Sequence, residues 1–164
     1  MTSTSVGRNQ EIELPLDLGE WVTPEVLVRW VEELVGSLDW KNPELLDLLR
    51  RNPAFCPRPL LSLLLHAYAL GQFSSAEIVE GCYRDPQLGR WFDGSAPAVK
   101  TLSLFRRQNR GLIRWGLMEL LKRSFRQKYE LGEGLLPAGL RRHLEEMAVA
   151  RVDMAWHMDR ASSL

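Results

Sequence analysis

Apolar residues along the chain recur at three- and four-residue spacing, and β-branched residues nowhere alternate convincingly, so the pattern predicts helices and no sheet. Thr23-Pro24-Glu25 supplies an N-cap, a proline at the first helical position and an acid in the first turn. The helix that follows carries Val26, Trp30, Val31 and Leu34 on one face, turns Glu32 and Glu33 to water, and runs to about Leu38. Asn42-Pro43-Glu44 repeats the signal for a short helix from Pro43 to Arg51, with Leu45, Leu46, Leu48 and Leu49 as buried candidates; Asn52-Pro53 stops it. The joint CPRP, Cys56 to Pro59, leads into a third helix that ends at Gly71 and is apolar nearly all round, as a central helix would be. Ser74 or Ser75 caps a helix ending near Tyr83, and Asp85-Pro86 opens a short one reaching Trp91. After a turn-rich stretch, a helix is expected from Ala98 to Gln108. Gly111 is expected to bend the chain before a long helix from Leu112 to Glu130. A last amphipathic helix, Pro137 to about Asp159, shows Leu140, Leu144, Met147 and Ala148 on one face. The expected fold is all-α: a compact array of about seven helices. Residues 1–20 read as a flexible lead, 21–131 as the main helical unit, and 132–164 as a linker with the C-terminal helix.

Composition removes several function classes. The longest apolar run, Leu60 to Leu70, contains His66 and is too short to cross a bilayer, so no membrane association is expected. The N-terminal stretch has no apolar signal region, which points to the cytoplasm. Cys56 and Cys82 read as buried free thiols, and His66, His143 and His157 have no ligand-type spacing, so no metal or other cofactor is expected. No phosphate loop or nucleophile elbow occurs. Ser62 and His66, one helical turn apart, read as a satisfied core pair rather than part of a catalytic triad. The six tryptophans read as packing groups, with Trp91 and Trp115 flanking the helix of interest. No enzymatic activity is expected.

Charge changes the picture. The chain is neutral overall, yet residues 9–54 hold ten acids against four bases, while residues 99–128 hold nine bases against Glu119 alone. Such polarity implies a partner of definite charge. On the helix from Ala98 to Gln108, Val99, Leu102 and Phe105 form the expected inward stripe. The remaining side chains, Lys100, Thr101, Ser103, Leu104, Arg106, Arg107 and Gln108, mix cations with groups able to contact base edges. Arg110 and Arg114 would meet phosphates. A shorter helix precedes this one, which gives a helix-turn-helix-like pair with an enlarged turn.

The order of residues from Arg58 to Ile113 resembles the N-terminal DNA-binding domain of bacterial DDE-type insertion-sequence transposases. The resemblance rests on Tyr68 and Gly71, Ser74-Ser75, Trp91-Phe92, Asp93, Pro97, and Thr101 with Phe105-Arg106-Arg107. It covers about a third of the chain and implies a helical module that recognises transposon ends and helps pair two chains. The family has His or Asp before the threonine region and Pro-Asp ahead of it; here the residues are Pro97-Ala98-Val99-Lys100. The catalytic domain of such enzymes is a sheet bearing three carboxylates. The stretch after Lys128 is too short and too helical for it, and Glu145, Glu146 and Asp153 read as surface charges. The expectation is therefore a stand-alone, non-catalytic binder of double-stranded DNA from a mobile element. The alternative is a protein–protein scaffold whose basic helix is covered by acids of residues 9–54 or of a partner. The C-terminal helix has two uses open to it: folding back onto the domain, or pairing two copies as a homodimer.

Overall fold

The chain was described through a computed structural model covering residues 14–43, 57–132 and 134–162. Among these residues there are seven α-helices and no strand: α1 (Pro24–Gly36), α2 (Pro57–Ala69), α3 (Ser75–Arg84), α4 (Pro86–Gly89), α5 (Val99–Gln108), α6 (Arg110–Lys128) and α7 (Ala138–Ser162). The all-α expectation holds. The short helix expected from Pro43 to Arg51, its leucines and Cys56 lie largely or wholly outside the described residues. None of the described helices is long and apolar enough to cross a membrane.

Local chemistry sets the helix starts. The Thr23 hydroxyl accepts from the Val26 amide at 3.3 Å, the Ser74 hydroxyl from Glu77 at 3.4 Å, and the Asp85 carboxylate from Gln87 at 2.9 Å. Each satisfies an amide that the helix itself leaves without a partner. The end of α2 is set by Gly71, whose φ of +83° is open to glycine at little cost.

Helix α2 is the centre: every residue from Leu60 to Ala69 is buried. Helices α1 and α6 pack against it, and α7 lies along α6. Gly116 of α6 sits directly on Leu65 of α2; a Cβ there would lie 2.6 Å from the leucine Cδ2. The close crossing of these helices depends on that missing side chain.

Three expectations are corrected. Residues 14–20 are not a loose lead, because Leu14 and Leu18 belong to the hydrophobic core. Val99 is not part of the inward stripe of α5; it stands at the helix start, where little lies beneath it, and is 43% exposed. The break between α5 and α6 is made by Asn109, not Gly111. Asn109 leaves the helical conformation (φ −125°, ψ 33°) while its side-chain amide donates to the Phe105 carbonyl at 2.8 Å. That bond satisfies a carbonyl orphaned at the end of α5.

The junction of α3 and α4 rests on Gly89. Its backbone is ordinary helix (φ −66°), so any residue would suit it locally. A Cβ there, however, would run into the Cys82 carbonyl oxygen, which is backbone and cannot swing away. Gly89→Ala is expected to cost about 1–3 kcal/mol in urea unfolding. Gly111→Ala is the control: nothing lies within 4 Å of the added Cβ, and stability should rise by up to about 1 kcal/mol.

Candidate nucleic-acid interface

Helix α5 packs against α3, with α4 in the connection between them. Lys100, Leu104 and Arg107 follow one another at helical spacing along the outer side of α5. Lys100, Arg107 and Gln108 are exposed, while Thr101 and Leu104 are half-buried. On α6, Arg114 is exposed, and Trp115 beside it is 37% exposed. Lys100, Arg107 and Arg114 make no ion pair among the described residues.

Arg106 belongs to the interior. Only 4% of it is exposed, because Leu102, Phe105 and Arg106 share the stripe that α5 turns inward. Its guanidinium donates to the Tyr68 hydroxyl at 2.9 Å and to the carbonyls of Phe73 at 2.7 Å and Ala155 at 2.5 Å. It also pairs with the Asp159 carboxylate. Asp159 in turn accepts from the Ser75 amide at 2.8 Å and the Ser75 hydroxyl at 2.5 Å, and from Ser103. Burial alone would raise the Asp159 carboxyl; the Ser75 bonds and the Arg106 charge outweigh it and hold it below the usual carboxylate value. Burial likewise raises the Tyr68 phenol, against the opposing pull of Arg106. Arg106 and Ser103 are therefore withdrawn from the exposed surface that the sequence placed them on. Together with Asp159 they form a clamp joining α2, α3, α5 and α7.

A second buried arginine works beside it. Arg151 of α7 donates to the Tyr68 carbonyl at 2.6 Å and the Pro15 carbonyl at 2.8 Å, tying the C-terminal helix to α2 and to the N-terminal segment. Of the two uses open to α7, folding back is what the described residues show. Its outward side carries Met154 and Met158 at 40% and 41% exposure.

The other cations of residues 99–128 are used variously. Arg110 pairs with Asp153 of α7 at 2.5 Å, but both side chains are about half exposed, so the pair contributes little to stability and can open. Arg123 meets Glu33 of α1 at 2.7 Å, Lys122 meets Glu119 at 3.0 Å, Arg126 donates to the Gly134 carbonyl at 2.8 Å, and Lys128 lies over the Trp21 ring. Among the described residues, the acid of residues 9–54 that pairs with this basic region is Glu33, which meets Arg123, and none pairs with the α5 cations. A small cleft beside Arg107, Arg110 and Trp156 has about 10 Å³, room for no more than a water.

Ser62 is not the partner of His66. The histidine Nδ1 accepts from the Trp91 indole at 3.0 Å, so Trp91 braces the core and not the α5 surface. Among the described residues no group of His, Cys, Asp or Glu is arranged to hold a metal ion. Compared with protein-family models, with characterised proteins and with solved structures, the chain finds no match.

Proposed function

We propose that this chain is a non-catalytic double-stranded DNA-binding module, related to transposase N-terminal domains, that meets DNA with α5 and the first half of α6. The observation that carries the reading is the row Lys100, Leu104, Arg107 on α5, together with Arg114 on α6, whose cations are exposed and without ion pairs among the described residues. Thr101 and Gln108 flank that row as base-edge candidates, and Arg110 joins it when its pair with Asp153 opens. Arg106 and Ser103 act indirectly, by fixing α5 on the body. The partner is duplex DNA, and the source of its sequence preference lies in the Lys100–Gln108 surface.

Four cations can displace at most about four condensed counterions, so the log–log salt slope should be near −3.6, and affinity should fall roughly a hundredfold between about 50 and 200 mM salt. Arg107→Gln and Arg114→Gln should each flatten the slope by about 0.9 with folding unchanged. Fluorescence anisotropy with pooled random duplexes at two salt concentrations reads both effects. Absence of binding at low salt would remove the proposal. A protein–protein scaffold is the second reading, favoured by the internal pairs Arg110–Asp153 and Arg123–Glu33; unchanged DNA affinity in both variants would leave it in place.

A further inference from the structure

A cleft of about 480 Å³ lies between the N-terminal segment, the start of α1, the end of α2 and the Asp85–Gln87 turn. Its size is in the range of small-molecule sites, about 300–1,000 Å³. Among the described residues, three carboxylates line it, Asp17, Glu20 and Asp85, and no lysine or arginine does. Asp17 and Asp85 each commit one oxygen to a backbone amide, Gly19 at 2.7 Å and Gln87 at 2.9 Å, which leaves the second for another donor.

Acids alone would not make a site. One further group in the lining has a nitrogen without a partner. His66 is 1% exposed and lines the cleft; its Nδ1 is taken by the Trp91 indole, and its Nε2 has no hydrogen-bond partner among the described residues. An imidazole that accepts at Nδ1 carries its proton on Nε2, so His66 presents an N–H to the cleft. A buried polar atom left this way costs free energy unless a ligand or water meets it.

We infer that this cleft is a binding site for a small organic cation, an amine on a short body that also bears an oxygen acceptor. The ammonium meets the Asp17, Glu20 and Asp85 carboxylates, and the ligand's oxygen accepts from His66 Nε2. Val22, Leu27 and Leu70 supply the apolar wall. The cleft shares no lining residue with the α5–α6 surface, so the inference stands or falls apart from DNA binding.

The test uses the full chain labelled with ¹⁵N-histidine and two probes of the same skeleton, diaminopropanol and glycerol. The His66 ring signal is assigned as the one missing from His66→Gln. Diaminopropanol is expected to shift its Nε2 signal saturably, while glycerol at the same concentration leaves it in place. Glu20→Gln, at an exposed position, is expected to weaken the diamine about fivefold without unfolding the chain. An unmoved signal, an equal response to glycerol, or the same affinity in Glu20→Gln would each overturn the assignment.

Discussion

Truncating Arg106 to alanine is expected to lower stability by about 3–5 kcal/mol, the usual cost of removing one partner of a buried ion pair. The loss leaves the Asp159 charge uncompensated, with the Tyr68 hydroxyl and the Phe73 and Ala155 carbonyls stripped of their donor. The melting temperature should fall by roughly 10 °C or more. Arg106→Lys should recover only part, since one ammonium cannot reproduce a planar fork that reaches acceptors from α2, the α2–α3 loop and α7 together. Asp159→Asn should cost less than the Arg106 change, and the double variant should be less destabilised than the two single losses added, because the same contact is lost in both. Urea unfolding of the four proteins measures this. A midpoint unchanged in Arg106→Ala would show that the clamp does not hold α7. The contrast with Arg107→Gln is informative: one arginine should move stability, and its neighbour only DNA affinity.

The second large effect is on pH. Burial pushes the His66 pKa down from 6.5 to about 4, with Asp85 pulling the other way and Arg90 adding to the shift. The folded chain therefore holds this imidazole neutral where the unfolded chain protonates it. Between pH 6.5 and about 4 the unfolded state binds more protons, so stability falls as pH falls, by up to about 1.4 kcal/mol per pH unit and about 3 kcal/mol in all. Asp159, whose pKa is depressed, contributes stability above the ordinary aspartate value and loses it only below that, so its window follows the histidine's on the acid side. Unfolding free energies measured from pH 7 to pH 4 should show the His66 slope. His66→Gln, which keeps an acceptor for the Trp91 indole, should remove that part of it. A wild-type stability flat across this window would overturn the assignment.

The clamp bears on the resemblance as well as on stability. Tyr68, Ser75 and Arg106 are among the residues on which the likeness to transposase N-terminal domains rests, and they meet in one buried network. These residues support the surface that reads DNA in our proposal rather than belonging to it. An Arg-Arg pair in sequence thus divides into an inward structural half and an outward, solvent-facing half.

Much of the fold was legible from local signals. Thr23 and Ser74 cap where a short hydroxyl side chain before a helix is expected to, and Gly71 ends α2 where positive φ is needed. Caps, glycine stops and three- and four-residue apolar spacing act within a turn or two of chain, which is why sequence alone fixes them. One signal for the buried arginine lies in the sequence: Arg106 follows Leu102 by four positions, on the same helical face. The charge of the side chain argued for solvent more strongly than its position argued for the core.

Position on a helix decides which side a residue takes, but whether a charge can stay buried there is decided by what the rest of the chain brings. Sequence by itself determined the all-α class, the capped helix starts at Thr23 and Ser74, the glycine stop at Gly71 and the uneven charge of residues 99–128. Only the tertiary structure decided that Arg106 is an interior strut, that residues 14–20 belong to the core, that α7 folds back, and that His66 faces a cleft. The physical reason is that these outcomes depend on partners far away in the chain. The Asp159 carboxylate, the Ala155 and Pro15 carbonyls and the Trp91 indole become available only once the helices have packed.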